Sequence, residues 1–206
     1  MIVRAMMAAL VLLATACSST ALDDSDAVDL APIPLPVSLY IVENQTEGAV
    51  SSSRSSADLE AVGTRMAEIW APAGIVLDIT VVGSIAVPDD VIRAVEIRDG
   101  AAFLRAARQG RFAVPDPGVI SGFYVPSAGG ANGFAPSLTR VFFVTDEPTV
   151  HDERVSSHEI GHLLGLHHEA QDPERLMFSG TNGMSLAEDE IATARYVAQG
   201  MLDGLR

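Results

Sequence analysis

Residues 158–168 read His-Glu-Ile-Gly-His-Leu-Leu-Gly-Leu-His-His, and all five histidines of the chain lie between residues 151 and 168. His158 and His162 are four residues apart, so on a helix their imidazoles project from the same face. Two neutral imidazoles in that arrangement can bind one metal ion and leave room for a third protein ligand and a water molecule. The segment is therefore expected to fold as a helix that holds a zinc ion.

Three residues of this segment complete the predicted site. Glu159 is placed to accept a proton from the water without binding the metal. Gly165 is expected to end the helix, because glycine reaches the left-handed conformation at little cost, and the chain can then double back. The return would bring His168 to the metal as the third ligand. His167 is the alternative third ligand, and His151 is expected on the surface.

This pattern resembles that of the metzincin zinc metalloproteases, His-Glu-x-x-His-x-x-Gly-x-x-His followed by a methionine turn. Met177 lies nine residues after His168, in Arg-Leu-Met-Phe-Ser-Gly. The resemblance implies that Met177 forms a hydrophobic floor under the zinc histidines without binding the metal. The short spacing to Met177 and residues 186–191 are most similar to the matrixins, the matrix metalloproteinase type. Glu169 is similar to the astacins instead, but those carry a tyrosine where this chain has Ser179.

The resemblance implies an α+β catalytic domain with a mixed, twisted sheet, an antiparallel edge strand, an active-site helix and a C-terminal helix. Hydrophobic periodicity predicts four strands, at residues 37–42, 75–82, 119–125 and 140–145. It predicts helices at residues 56–71 and 99–109 and a final helix that ends near residue 202. Residues 129–136 form either the edge strand that borders the cleft or a flexible hairpin loop.

Two pairs of residues have the spacing of a capping box, in which side chains satisfy the first N–H groups of a helix. Thr149 and Asp152 predict that the active-site helix starts near Thr149. Ser185 and Glu188 predict the start of the final helix.

The formal net charge of −14 argues against binding to nucleic acid and against electrostatic docking on anionic lipid. Calcium is possible as a second metal, but the sequence does not support it, because no group of aspartates has the spacing of a calcium-binding loop. The sequence gives no indication of the oligomeric state.

The N-terminus predicts export. Residues 1–16 have one positive charge, a short apolar stretch and small residues before the cleavage point, as in a secretory signal peptide. Two patterns both predict cleavage after Ala16: an ordinary Ala-x-Ala site, and a bacterial lipobox that would place a lipid on Cys17. Cys17 is the only cysteine of the chain and has no disulfide partner. Residues 17–36 are then the lipidation site and a flexible tether, and residues 37–206 are the catalytic domain of a membrane-anchored lipoprotein or, otherwise, of a secreted protein.

These residues favour a zinc-dependent endopeptidase with one catalytic Zn²⁺, in which Glu159 is the general base and peptides or proteins are the substrates. Residues 178–184 are expected to line the specificity pocket. Glu169 and Asp172 are candidate hydrogen-bond partners for the zinc histidines. The alternative function is a non-catalytic, zinc-stabilised cell-surface binding or adhesion module. Glu159 argues against that alternative, since a structural zinc site gains nothing from a base beside an open coordination position.

Overall fold

The computed structural model describes residues 30–113 and 116–204. The predicted signal peptide, Cys17 and residues 18–29 of the predicted tether lie outside the described residues. Among the described residues, no helix is both long and apolar enough to cross a membrane. The elements in chain order are β1 (Ile33–Asn44), α1 (Ser56–Trp70), a 3-10 turn (Ala71–Ala73), β2 (Ile75–Val87), α2 (Asp89–Glu96), α3 (Gly100–Arg108), β3 (Ile120–Val125), β4 (Gly133–Phe134), β5 (Val141–Thr145), α4 (Asp152–Leu163) and α5 (Glu188–Leu202).

The strands form one mixed sheet in the order β2-β1-β3-β5-β4. Strands β2, β1, β3 and β5 are parallel, and β4 pairs antiparallel with β5. Parallel strands need cover on both faces: α1, α4 and α5 pack on one face of the sheet, and α2 and α3 pack on the other. The expected α+β fold is confirmed, with its antiparallel edge strand β4, the helix α4 that carries His158 and His162, and the C-terminal helix α5.

β1 starts earlier than predicted, so residues 33–36 are strand and not tether. The Ile33 N–H donates to the Gly74 carbonyl at 2.9 Å, on the β2 side. Successive N–H groups of a strand point to opposite edges, so the nitrogens of Pro34 and Pro36 face the other side. There β3 pairs only with residues 37–41. The two prolines therefore cost the sheet no hydrogen bond.

The predicted helices at residues 56–71 and 99–109 are present as α1 and α3. The Ser55 hydroxyl accepts the Asp58 N–H at 3.2 Å, and the Asp58 carboxylate accepts the Ser55 N–H at 2.8 Å, which is a capping box. α2 has no predicted counterpart, because its eight residues give little more than two turns of periodicity.

α4 begins at Asp152 with His151 as its N-cap, and not near Thr149. The Thr149 N–H donates instead to the side-chain oxygen of Asn132 at 2.8 Å. Asp152 accepts two hydrogen bonds of 2.7 Å from the Arg54 guanidinium, which form a bidentate ion pair. An arginine from the loop before α1 therefore fixes the start of α4.

The predicted cap of the final helix is also wrong. α5 begins at Glu188, and the Glu190 carboxylate accepts the Ala187 N–H at 2.9 Å. The Ser185 hydroxyl donates to the Glu174 carbonyl at 2.8 Å and is not available to cap the helix. Capping-box spacing alone does not decide which oxygen reaches the free N–H groups.

Candidate metal centre

The structure brings His158, His162 and His168 together at the C-terminal end of α4. One ring nitrogen of each lies within 4.8 Å of the other two, and Nε2 of His162 is 3.1 Å from Nε2 of His168. Zinc–nitrogen bonds of about 2.0–2.1 Å in a tetrahedron place ligand nitrogens about 3.3–3.4 Å apart. Small rotations of the rings would therefore seat one ion. His151 and His167 are exposed and do not belong to this cluster.

The turn after α4 is what allows the third histidine to return. Gly165 has a φ of +85°, the left-handed conformation that glycine adopts most easily. Its N–H donates to the His162 carbonyl at 3.1 Å, and the Leu166 N–H donates to the Gly161 carbonyl at 2.9 Å. These two hydrogen bonds form a Schellman motif. The chain reverses there and places His168 beside the helix that carries the other two rings.

Backbone carbonyls orient the two helical histidines. Nδ1 of His158 lies 2.7 Å from the Leu176 carbonyl oxygen, and Nδ1 of His162 lies 3.0 Å from the Leu166 carbonyl oxygen. A carbonyl can only accept, so in both rings the Nδ1–H donates and Nε2 keeps its lone pair. The lone pairs needed to bind a metal are thus set by the fold.

The candidate carboxylate partners, Glu169 and Asp172, are wrong for His158 and His162, whose Nδ1 atoms contact backbone carbonyls. Oε1 of Glu169 accepts the N–H groups of Ala170 and Gln171. Oδ1 of Asp172 accepts the N–H of Glu174 at 3.0 Å. Both side chains stabilise the turn they belong to, because the backbone N–H groups of that turn are their nearest donors.

Burial keeps the imidazoles of His158 and His162 neutral, the form that binds metals. It lowers the pKa of His158 to about 3, although the hydrogen bond to Leu176 opposes the shift. Burial also lowers the pKa of His162, again against its hydrogen bond to a carbonyl. Both rings are therefore neutral at pH 7, and a neutral imidazole is the ligand that zinc requires.

Glu159 lies beside the histidines with only 5% of its surface exposed. Its Oε2 atom is buried and has no hydrogen-bond partner among the described residues. Burial raises the pKa of Glu159 to about 8, and the positive charge of Arg154 opposes that shift. A carboxyl group with such a pKa can take up and release a proton near neutral pH, as a general acid or base must.

Arg154 is a residue of the site to which the sequence assigned no role. It is 3% exposed, one helical turn before His158. One of its terminal nitrogens donates to the Leu176 carbonyl at 2.8 Å and to the Phe178 carbonyl. The Leu176 carbonyl thus accepts from both Arg154 and His158, and it joins α4 to the segment that carries Met177. The four-residue spacing between Arg154 and His158 is the sequence signal for this role.

Met177 is fully buried and packs against α4, the helix that carries His158 and His162. A Cβ atom placed on Gly161 would lie 2.6 Å from the Met177 sulfur and 3.3 Å from its terminal methyl group. Gly161 is the residue before His162, so the methionine packs directly against the backbone that carries this ligand. The contact requires a glycine at residue 161.

Replacement of Gly161 by alanine is therefore expected to lower the melting temperature. Alanine gains about 1 kcal/mol over glycine within a helix, but overpacking a full core costs about 1–3 kcal/mol. We expect a net loss, because Met177 is fully buried and its sulfur can yield only if the surrounding core repacks. Thermal unfolding of Gly161→Ala beside the parent protein measures it. A higher melting temperature, as helix propensity alone would give, contradicts this packing.

The edge strand β4 lies against α4 at Glu159. A Cβ atom on Gly133 would lie 2.9 Å from a methyl group of Val155, 3.1 Å from Cγ of Glu159 and 2.7 Å from the Phe143 carbonyl oxygen. Only glycine lets the strand approach this closely. Of the two alternatives for residues 129–136, the structure contains the edge strand, although it is limited to Gly133 and Phe134.

A cavity of about 1050 Å³ opens beside His162. Its walls come from α3, the start of β3, the segment that joins β4 to β5, the end of α4, and α5. Residues 178–184 do not line this cavity, and their expected role in a specificity pocket stays a prediction. The turn after α4 and the β4–β5 segment do so instead, because both lie beside the C-terminal end of α4.

No family model matches this chain, and no curated protein matches it. Among solved structures, it is similar to archaemetzincin from Methanopyrus kandleri, with 14% identity and a TM-score of 0.55 over 80% of this chain and 96% of that one. It is also similar to mature mirolysin of Tannerella forsythia in complex with a cleaved peptide, with 9% identity and a TM-score of 0.51 over 84% and 96%. At these identities the likeness establishes the fold alone. Neither neighbour is named as a matrixin, so the matrixin group gains no specific support.

Proposed function

We propose that this protein is a zinc-dependent endopeptidase. His158, His162 and His168 would hold one zinc ion, and Glu159 would be the general base. The observation that carries the proposal is the convergence of three imidazole nitrogens within 4.8 Å, beside a buried and unpartnered carboxyl group. Assignment to the metzincins, and to a matrixin-like group among them, rests on the spacing of the histidines, Gly165 and Met177 in the sequence.

Each residue of the site has a part in peptide hydrolysis. Bound zinc supplies positive charge that polarises the peptide carbonyl and makes water more acidic. Glu159 accepts a proton from the attacking water at its carboxylate and then donates that proton to the nitrogen of the leaving amine. Its position beside the histidines and its lack of a hydrogen-bond partner leave the carboxyl group free for both transfers. The fixed Nδ1–H donors of His158 and His162 hold their rings still while charge develops nearby.

The position of β4 supports a peptide as the substrate. β4 pairs with β5 along one edge and borders the metal centre through the contact of Gly133 with Glu159. An extended peptide can add to such an edge as a further strand, held by backbone hydrogen bonds. A peptide bound there would lie alongside the carboxyl group that must act on it.

A non-catalytic binding or adhesion module stabilised by zinc is the competing function. A site that only stabilises the fold has no use for a buried carboxyl group without a partner, and burying such a group costs stability. Unpartnered groups of this kind are concentrated at catalytic sites. Glu159 therefore favours the enzyme over the module.

The test is to measure the zinc content of the purified protein by mass spectrometry and to digest a mixed peptide library with it. We expect one zinc per chain and cleavage within peptides. We also expect that 1,10-phenanthroline stops cleavage and that added zinc restores it. Zinc binding without any cleavage would favour the binding module, and cleavage that survives removal of the metal would refute the proposed mechanism.

A further inference from the structure

β2 forms a long edge of the sheet with little protection against pairing. It runs for 13 residues, from Ile75 to Val87, at the end of the strand order opposite β4. Within residues 30–113 and 116–204, no strand pairs with its outer side. Proteins usually guard such an edge with prolines or several charges, but β2 contains no proline and one charged residue, Asp78. The edge is therefore open to a further strand.

The backbone groups along this edge alternate in direction. The Gly74 carbonyl accepts the Ile33 N–H of β1, and successive residues of a strand point to opposite edges. The even-numbered residues as far as Thr80 therefore bond to β1, and the odd-numbered residues direct their N–H and C=O groups outward. The register with β1 then shifts before Gly83, whose φ is +96°. The outward residues before this shift are Ile75, Leu77, Ile79 and Val81.

The exposed side chains of the same stretch match each other when one copy is turned end to end. They are Val76, Asp78, Thr80 and Val82. Val76 and Val82 are 52% and 53% exposed although both are apolar. A surface that binds a second copy across a twofold axis must be complementary to itself. This stretch meets that requirement, because reversing it leaves apolar residues outside and polar residues between them.

Only a few antiparallel registers bring outward backbone groups opposite each other. In the register centred on Ile79, Val76 of one copy lies opposite Val82 of the other, and Asp78 lies opposite Thr80. A centre at Asp78 would place two aspartates opposite each other, which is destabilising. A centre at Thr80 would place Asp78 opposite Val82. The side chains of β2 therefore favour the register centred on Ile79.

We propose that two copies of this chain associate through β2, antiparallel about a twofold axis at Ile79, and form one continuous sheet. The outward N–H and C=O groups of the two strands would bond to each other. Pairing over residues 75–81 gives a small interface, so we expect a reversible dimer with a dissociation constant on the order of micromolar. β4 is at the opposite end of the strand order, so the metal centre stays open in the dimer.

Analytical ultracentrifugation of the zinc-loaded full chain measures the association. All samples carry Cys17→Ser, which removes the only cysteine. We expect a monomer–dimer equilibrium that shifts towards the dimer as the salt concentration rises, because each copy has a formal net charge of −14. Thermal unfolding and zinc content confirm that each variant is folded.

Charges introduced at residues 76 and 82 test the register. Val76→Lys with Val82→Lys places lysine opposite lysine twice, so the dissociation constant should rise about tenfold or more. Val76→Lys with Val82→Glu places lysine opposite glutamate twice, so the constant should return close to that of the parent. Val50→Lys is the control, because Val50 is 72% exposed and lies outside β2; it should have no such effect.

A short bismaleimide crosslinker tests the same register by distance. Val76→Cys and Val82→Cys are prepared as separate variants and then mixed. The mixture should give a covalent dimer, because the two positions lie opposite each other. Neither variant alone should do so, since residue 76 of one copy is six residues, or about 20 Å, from residue 76 of the other.

Four results would overturn the dimer. The first is a monomer at every concentration and salt, and the second is a dimer that Val76→Lys with Val82→Lys leaves unchanged. The third is crosslinking of the single variants as efficient as that of the mixture. The fourth is protection of the odd-numbered amides of β2 from hydrogen exchange in the monomer, which would show that the chain itself covers this edge. None of these results depends on whether the protein cleaves peptides.

Discussion

Replacement of Glu159 by glutamine is expected to lower kcat for peptide cleavage about a thousandfold or more, while one zinc remains bound. General acid–base catalysis contributes about 10²–10⁴ to a rate, and glutamine has the shape of glutamate but cannot accept the proton. Zinc content, circular dichroism and peptide cleavage of Glu159→Gln measure the three parts of this prediction. If the variant cleaves as fast as the parent, the base is another group.

The melting temperature of Glu159→Gln should stay close to that of the parent, because two effects oppose each other. The pKa of about 8 in the folded protein is above the ordinary value of 4.5. The protonated carboxyl therefore stabilises the fold fully below about pH 4.5, and this contribution is lost as the pH rises towards 8. Glutamine removes that loss because it stays neutral at every pH. The opposing effect is that Arg154 loses its attraction to the ionised fraction of Glu159, which grows as the pH rises towards 8.

Glu153→Gln is the matched control for this variant. Glu153 is on the same helix and is also buried, but it pairs with Arg65 at 3.3 Å and lies five residues before His158. Arg65 is 65% exposed, and ion pairs of that kind contribute little to stability. Glu153→Gln should therefore retain cleavage. If only Glu159→Gln loses activity, the cause is the missing Glu159 carboxyl group and not the exchange of a glutamate for glutamine in α4.

Replacement of His162 by alanine is expected to lower zinc affinity about a thousandfold or more and to abolish cleavage. Loss of a hydrogen-bond partner of a ligand typically costs 10–100-fold in affinity, and loss of the ligand itself costs more. Nε2 of His162 also lies 3.1 Å from Nε2 of His168, so the substitution leaves only two imidazoles in the cluster. Competition with a chelating zinc indicator measures the dissociation constant.

His167→Ala is the informative companion, because His167 is the neighbouring candidate for the third ligand. The structure places His167 outside the cluster. The zinc affinity of the His167→Ala variant should therefore equal that of the parent protein. Unchanged zinc stoichiometry in His162→Ala, or loss of zinc in His167→Ala, would refute the proposed ligand set. His168→Ala should behave as His162→Ala does.

The arrangement of the three histidines was predictable because it depends on local geometry. The spacing of His158 and His162 needs only a helix to place both rings on one face, and Gly165 needs only a left-handed turn. These features are encoded within eleven consecutive residues. Local chain geometry is enough to specify them, without contacts from residues distant in sequence.

Contacts between distant residues were not predictable in the same way. The partners of His158 and His162 are backbone carbonyls, which every residue possesses, so no side-chain pattern identifies Leu176 and Leu166. The start of α4 depends on Arg54, 98 positions away. The prolines of β1 are typical of a linker. Only the pairing of β1 with β2 shows that the proline nitrogens face the opposite edge, where they have no hydrogen-bond partner to lose. β4 has two residues, too few for any periodicity.

The Leu176 carbonyl determines which sequence changes near the histidine cluster the protein can tolerate. A carbonyl oxygen has two lone pairs, and here Arg154 and His158 occupy both. Because main-chain atoms make the connection, exchanging exposed side chains between residues 169 and 175 leaves it untouched. The position of the oxygen is held by hydrogen bonds on either side of it, from the Glu169 N–H to the Met177 carbonyl and from the Leu176 N–H to the Ser185 carbonyl. Relatives that keep these main-chain pairings are therefore free to diverge in the composition of that loop.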